Sequence, residues 1–282
     1  NAVLGMDEMI LRESTESNIK EYAMDIQSAG RTLLTIINDI LDLNKIESGK
    51  MEIVPVTYDV AGMINDISNM IKLRAEDKNL SFRVNVSSDV PSKLYGDDVK
   101  IRQILMNLLT NAVKYTPSGE VCFRVSLKEK TNGSYAILCF EVADTGIGIK
   151  PEDMERLFSK FERIEIERNR NIEGTGLGMP ITMELLSLMG SELRVKSEYG
   201  KGSVFSFDLK QTVVVEDTIG DYEKRIRSSA EKQYTYNETF TAPDAHVMIV
   251  DDNKVNRKVF TALLKMAQIQ ITEADSGYKA IE

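Results

Sequence analysis

The sequence contains no tryptophan and a single histidine, His246. One imidazole excludes any metal or catalytic site that needs two. Without tryptophan, and with ten tyrosines spread along the chain, there is no rich aromatic platform on which nucleic-acid bases stack. Cysteine is as scarce. Cys122 and Cys139 sit in separate apolar, strand-like stretches, lack metal-ligand spacing and are too few for a disulfide framework. Both read as buried thiols in a reducing compartment. Positive charge is in deficit: 35 Lys and Arg against 44 Asp and Glu leave a formal charge of −9. That balance has the wrong sign for general nucleic-acid binding. No apolar run approaches the ~18 residues that cross a bilayer, and nothing resembles a signal peptide. What is present, 42% hydrophobic and 28% charged residues, is ordinary globular composition. A length of 282 residues predicts roughly two domains, at about 150 residues each, with partial pieces.

Residues 1–13 read as a helix with Val3, Met6, Met9 and Ile10 on one side, interrupted at Ser14 to Ser17. Asn18, with Glu21 three residues on, is expected to cap a second helix. Along it Ile19, Tyr22, Ile26, Ala29, Leu33, Ile36, Ile40 and Leu43 alternate three and four residues apart, a heptad seam that needs a facing helix. Ser48-Gly49 ends it. A helical hairpin with one sustained seam is half of something, most simply a dimeric four-helix bundle. A hairpin packed only on its own chain is the alternative.

From Met51 the pattern changes. Strands are expected at 51–56, 80–86, 121–127, 135–143, 191–197 and 203–210, and helices at 59–77, 97–115 and 180–189. Hairpin-paired strands with helices between them give an α+β two-layer sandwich over residues 50–211. Residues 212–245 have mixed charge, carry Pro243 and show no wide apolar face, so they read as a linker. His246 to Val250 reads as a buried strand, followed by a helix near 254–266 and a strand near 269–273. A segment as short as 246–282 rarely folds alone, and it reads as the opening of a domain cut short.

The chemistry concentrates between 97 and 178. At 100° per residue, Ile101, Ile104, Leu105, Leu108 and Ala112 form a core stripe. Asn107, Asn111 and Lys114 form a neighbouring polar stripe, with Tyr115 between the two. Amide oxygens are hard ligands suited to Mg²⁺, and a lysine suits a phosphate. A solvated polar face would use the same letters. Downstream, Asp144-Thr-Gly-Ile-Gly148 fixes an acceptor-only carboxylate at a strand end, where it can receive the exocyclic amine of adenine. Leu157-Phe158 to Phe161-Glu162 and Gly174-Thr-Gly-Leu-Gly178 follow, with Pro180 near the start of a helix. A glycine-rich loop entering a helix N-terminus offers free N–H donors to phosphates. One such motif is weak; four in this order are strong.

These residues resemble the catalytic and ATP-binding half of a bacterial sensor histidine kinase, of the superfamily shared with DNA gyrase, the MutL repair proteins and the large heat-shock chaperones. Residues 107–116 are similar to its N box, 144–148 to its first glycine box, 157–162 to its phenylalanine box and 174–178 to its second glycine box. Ser197 to Phe205 resembles the closing glycine turn and final strand. Residues 1–49 resemble the end of the first helix and all of the second helix of a dimerisation and phosphotransfer domain. Residues 246–282 resemble the start of a flavodoxin-like receiver domain, Asp251 and Asp252 matching its acidic pair. The order implies a hybrid histidine kinase using ATP and Mg²⁺. By position, Asn111 would ligate Mg²⁺ with Asn107 assisting, Lys114 would contact phosphate, and Tyr115 would flank the nucleotide. Asp144 would bind the adenine amine. Gly146, Gly148, Gly174, Thr175, Gly176, Leu177 and Gly178 would shape the pocket and its lid, with Phe158 and Phe161 anchoring that lid or simply packing in the core.

The resemblance also implies what to expect outside these boxes. The water-activating relatives carry Glu where this chain has Asn107, and a carboxamide cannot accept a proton at neutral pH. That favours phosphoryl transfer to a protein side chain over hydrolysis. The family's phosphoacceptor His is expected about two helical turns before Asn1, and the receiver's acceptor Asp after Glu282. His246 is expected to be a strand-edge residue. The implied partners are a second copy, joined through the hairpin, and a receiver in cis or a response regulator or phosphotransfer protein in trans. The implied location is a cytoplasmic portion of a parent whose upstream segments could anchor it to a membrane. A non-catalytic, nucleotide-sensing dimeric scaffold is the rival reading, and an ATPase of the same superfamily a third.

Overall fold

The structure is a computed structural model that describes residues 2–131, 134–154, 176–226, 241–264 and 267–281. It divides into two compact units, Asn1–Asn38 with Tyr234–Glu282, and Asp39–Gln233.

The larger unit is a seven-stranded sheet covered on one face by helices. Its elements are β1 (Val56–Asp59), α3 (Val60–Asp77), β2 (Ser81–Val86), β3 (Pro91–Gly96), α4 (Asp98–Tyr115), β4 (Glu120–Thr131), β5 (Tyr135–Asp144), α5 (Gly178–Leu188), β6 (Arg194–Glu198) and β7 (Gly202–Thr218). The strand order is β1-β3-β7-β5-β4-β2, with β6 also on β7. Only β2 and β4 pair in parallel; the remaining pairs are antiparallel. Alternation along β4 and β5 turns Val121, Phe123, Val125, Leu138, Phe140 and Val142 inward. Phe140 stacks on Phe207 of β7 with ring centroids 5.1 Å apart. Onto this face α3 lays Ile64, Ile67 and Ile71, and α4 lays Ile101, Ile104, Leu105 and Leu108, at helical spacing. Each such side chain, fully buried, contributes about 1.5–3 kcal/mol.

Caps fix where the helices begin and end. Asp59 caps α3, accepting from the Gly62 N–H at 2.6 Å. Asp97 caps α4 from a buried position: one oxygen accepts from the Lys100 N–H at 3.0 Å and the other from the Val54 N–H at 2.8 Å. Asn79, at φ +56°, ends α3 with the Leu80 N–H on the Ala75 carbonyl and its own N–H on that of Glu76. Gly190 closes α5 with the same pair of bonds.

In the smaller unit α1 (Ala2–Glu13) and the first part of α2 (Ser17–Glu47) run antiparallel. Gln27 donates to Glu8 at 2.9 Å, and Leu4 lies against Gly30. Val3, Met6, Ile10, Ile19, Tyr22, Ile26 and Leu33 are left exposed along the pair. The same unit holds β8 (His246–Val250), α6 (Lys254–Leu264), β9 (Gln270–Ala274) and α7 (Gly277–Ile281), with β8 and β9 parallel. The chain end of α2 belongs to the larger unit, where Leu43 is buried and Gln103 of α4 donates to Asp42 at 2.8 Å. Gly49, at φ +64°, terminates α2 through Lys50 N–H to Lys45 O and Gly49 N–H to Ile46 O.

Four sequence expectations are corrected. The helix opens at Ser17, so Asn18 lies inside α2 rather than capping it. Residues 51–55 form no strand, because the Val54 N–H is taken by the Asp97 side chain rather than by a ladder. Pro91–Gly96, not expected as a strand, pairs with both β1 and β7. Residues 212–218, read as linker, extend β7 along β3, and Ile219 beyond them is buried with its N–H on the Val90 carbonyl at 2.7 Å.

Asp97→Ala removes two backbone bonds from a buried cap and is expected to destabilise the chain by about 2 kcal/mol in urea denaturation. A change below about 0.5 kcal/mol, the range of ordinary surface substitutions, would show that the cap does not hold α4.

Candidate functional site

Asn107, Asn111, Lys114 and Tyr115 occupy the C-terminal half of α4, on the flank beside its core stripe. The two carboxamides touch: the Asn111 Nδ2 donates to the Asn107 Oδ1 at 3.3 Å. The Asn107 Nδ2 points the other way, donating to the Thr182 Oγ1 of α5 at 2.8 Å and lying 3.8 Å from the Met179 sulfur. Gly178, the first residue of α5, lies so close to the Asn107 carboxamide that a Cβ would overlap it. The last turn of α4 is closed by Lys78, whose ammonium donates to the carbonyls of Val113 at 3.1 Å and Lys114 at 2.8 Å. Lys114 itself lies over the Tyr115 ring, 4.9 Å from the centroid.

The turn after β5 is bound to the same end of α4. Ile147 donates its N–H to the Tyr115 carbonyl at 3.2 Å. Gly146 packs on that carbonyl and on Thr116, leaving no room for a side chain. Gly148, at φ +66°, lies against the Glu198 carbonyl, and Gly200 donates to Ile147 at 2.8 Å. Ser197 completes the clasp by accepting from the Ile149 N–H at 2.8 Å. Asp144 is thereby held at the mouth of this turn, with one carboxylate oxygen on the Gly146 N–H at 2.8 Å. Burial pushes its carboxyl above the ordinary aspartate value, and the backbone N–H groups of Gly146 and Ser203 offset only part of that.

The described residues of three sequence boxes therefore adjoin one another: the carboxamide pair, the aspartate turn and the start of α5. Gly176 has φ +72°. Leu177 is buried in the core, so it offers the loop its backbone rather than its side chain. Phe158, Phe161, Gly174 and Thr175 lie outside the described residues. Asp251 and Asp252 follow β8 in the other unit, where Asp251 accepts from the Asn253 N–H at 2.8 Å and from the Asn256 side chain. Among the described residues no cluster of three His, Cys, Asp or Glu side chains could hold a metal. Cys139 is half-buried on the outer sheet face, where burial and the neighbouring Asp208 push its thiol pKa up. Sequence reasoning missed Thr182, which sits on a helix read only for its apolar face.

A two-layer sandwich with a carboxamide helix, a strand-end aspartate and a glycine-led helix around one corner defines a class of ATP-binding domain. Residues 96–213 match the family described as histidine kinase-, DNA gyrase B- and HSP90-like ATPase. The chain is 38% identical over 209 residues to hybrid signal transduction histidine kinase B of Dictyostelium discoideum, covering 74% of this chain and 11% of that one. It is 32% identical over 282 residues to the sensory/regulatory protein RpfC of Xanthomonas campestris, covering 95% of this chain and 39% of that one. Among solved structures, full-length ShkA in complex with AMPPNP superposes with a TM-score of 0.60 at 25% identity, covering 99% of this chain and 53% of that one. Residues 96–213 belong to that ATPase family, and the chain spans only 11% to 39% of the length of these two curated relatives.

Asp144 carries a test of its own. A carboxyl that binds its proton more readily folded than unfolded costs stability as pH rises from the ordinary aspartate value through its raised one, and the cost persists at neutral pH. Asp144→Asn is therefore expected to leave the ligand-free melting temperature at pH 7 equal or higher, with the difference closing towards pH 4. A clear loss at pH 7 would mean that the backbone bonds to the carboxylate outweigh its burial.

Proposed function

We propose that this chain is the ATP-binding, phosphoryl-donating segment of a hybrid sensor histidine kinase, delivering the γ-phosphoryl group of ATP to a histidine of a helical bundle and onward to a receiver aspartate. The observation that carries the reading is the junction of Asn107 and Asn111 with the start of α5 on one side and, through Tyr115 and Ile147, with Asp144 on the other.

In this reading Asp144 accepts from the adenine amine, and the turn at 146–148 lets the base approach the backbone. Lys114 and the N–H groups of Gly178 and Met179 at the start of α5 face the phosphates. The carboxamide pair fits Mg²⁺: it offers hard neutral oxygens, the Asn111 nitrogen being spent on Asn107, and the triphosphate supplies the negative charge. Such a cation neutralises charge on the phosphates. Catalysis then consists mainly of positioning and electrostatic stabilisation. Asn107 cannot take a proton from water, and both ends of its amide are already engaged, which supports transfer to a side chain over hydrolysis.

The exposed seam of α1 and α2 supports a homodimer through a four-helix bundle, since contiguous apolar surface of this kind seeks a partner. Residues 246–282 would begin a receiver whose acidic pair is Asp251 and Asp252. No described helix is long and apolar enough to cross a membrane; the segment is read as a cytoplasmic portion.

A fluorescent ATP analogue should bind the chain in Mg²⁺. Asp144→Ala is expected to weaken binding by about 10- to 100-fold, the worth of a charged hydrogen bond. Asn111→Ala should act mainly on the Mg²⁺-dependent part. Unchanged affinity in both variants overturns the assignment. The dimer is checked by sedimentation equilibrium: Ile26→Glu with Leu33→Glu should shift the chain towards monomer, and an unsubstituted chain that stays monomeric at high concentration removes the seam from the interface.

A further inference from the structure

A carboxamide has nearly the same shape in either orientation of its amide plane, so its direction is set by its hydrogen-bond partners. Asn107 has three neighbours that decide this. On the α5 side the Thr182 hydroxyl oxygen is 2.8 Å from its nitrogen and the Met179 sulfur 3.8 Å. On the α4 side its oxygen receives the Asn111 nitrogen at 3.3 Å. Thr182 is buried, so no water competes for its hydroxyl. It lies one turn after Gly178, on the same face of α5, and the missing side chain at Gly178 is what lets the Asn107 carboxamide approach that face.

We propose that Thr182 is a positioning residue that fixes the amide direction of Asn107 and, through it, turns the oxygen rather than the nitrogen of Asn111 towards the cation. The proposal rests on the ATP·Mg²⁺ reading above and deepens it. The order of bonds is directional. Thr182 Oγ1 accepts from Asn107 Nδ2, Asn107 Oδ1 accepts from Asn111 Nδ2, and the Asn111 oxygen is left for a hard ligand role. With an apolar side chain at 182, the Asn107 nitrogen keeps, among the described residues, only a weak sulfur acceptor. The amide can then rotate, and the nitrogen it presents to Asn111 draws in the oxygen that the cation needs. The device also joins the glycine-led start of α5 to the metal-binding face of α4, because a displacement of α5 withdraws the acceptor.

Thr182→Val keeps the branched shape and deletes the hydroxyl; Thr182→Ser keeps the hydroxyl. Binding of a fluorescent ATP analogue to the 282-residue chain is titrated with Mg²⁺ and, separately, in EDTA. Thr182→Val is expected to raise the half-saturating Mg²⁺ concentration by about tenfold, the usual scale for a residue behind a metal ligand. Metal-free nucleotide affinity should be unchanged, and Thr182→Ser should return within about twofold of the unsubstituted chain. Side-chain amide NMR of the metal-free protein gives a second readout: the Asn107 NH₂ protons should exchange with water faster in Thr182→Val and not in Thr182→Ser. The same Mg²⁺ dependence in Thr182→Val and the unsubstituted chain overturns the proposal, as does a metal-free affinity that falls in parallel or a Thr182→Ser variant that fails to recover. These outcomes leave the ATP reading standing. An unsubstituted chain that binds no analogue in either medium overturns the ATP reading and the role of Thr182 with it.

Discussion

The bond from the Ile147 N–H to the Tyr115 carbonyl is the constraint on which the site depends. It joins the end of the carboxamide helix to the turn that carries Asp144, two segments that the chain reaches through separate elements. Without it α4 would still pack, because its core stripe is independent of the turn, and Asp144 would still end β5. The two would not be held at one corner. Peptide groups are suited to this task because they are rigid and short, so the spacing between the helix and the turn does not depend on a side-chain rotamer. Thr116 reinforces the junction by returning its hydroxyl to the Ala112 carbonyl at 2.7 Å, which keeps the end of α4 wound where Gly146 leans on it.

Glycine is required here for space as much as for backbone freedom. A Cβ at Gly146 would strike the Tyr115 carbonyl, one at Gly178 the Asn107 carboxamide, and one at Gly202 the backbone of Asp144. Only Gly202 of these three combines the close approach with a positive φ, of +113°. The glycine boxes therefore mark where one strand or helix lies directly against another around the site. The missing side chains leave backbone beside the Asp144, Lys114 and Asn111 side chains, and N–H groups of this kind suit anion recognition.

Much of the sandwich was legible because its signals are periodic. The stripe Ile101, Ile104, Leu105, Leu108 announced both the helix and its buried face, and the alternation of β4 and β5 was equally plain. The boxes were legible because Asn, Asp and Gly are chemically distinctive at those spacings. What failed was local structure fixed from a distance. Val54 reads as part of a strand until Asp97, far along the chain, takes its N–H. β3 offers a proline and one buried leucine at its centre, and it becomes a strand because β1 and β7 flank it. Thr182 carried no signal, since a threonine inside an apolar helix is ordinary until a carboxamide on another helix is seen to face it.

The same site sets function against stability. Asp144 is partly desolvated and receives the Gly146 and Ser203 N–H groups as incomplete compensation, so the ligand-free fold carries it at a cost. A base amine donating to that carboxylate would supply the missing partner, and the cost then becomes affinity rather than loss. Asp208 shows the opposite arrangement on the outer sheet face. Burial works against its ionised form, but Arg194 at 2.8 Å and Lys128 at 2.7 Å outweigh it and hold the carboxyl at about 2. Both cations bind one oxygen, Oδ2, and neutralise the charge there without any ligand, while the buried Oδ1 has no hydrogen-bond partner among the described residues. In a chain of net charge −9, a polyanion must be drawn by local donors rather than by the overall field. The donors proposed for it, Lys114 and the N–H groups at the start of α5, lie where α4 ends and α5 begins.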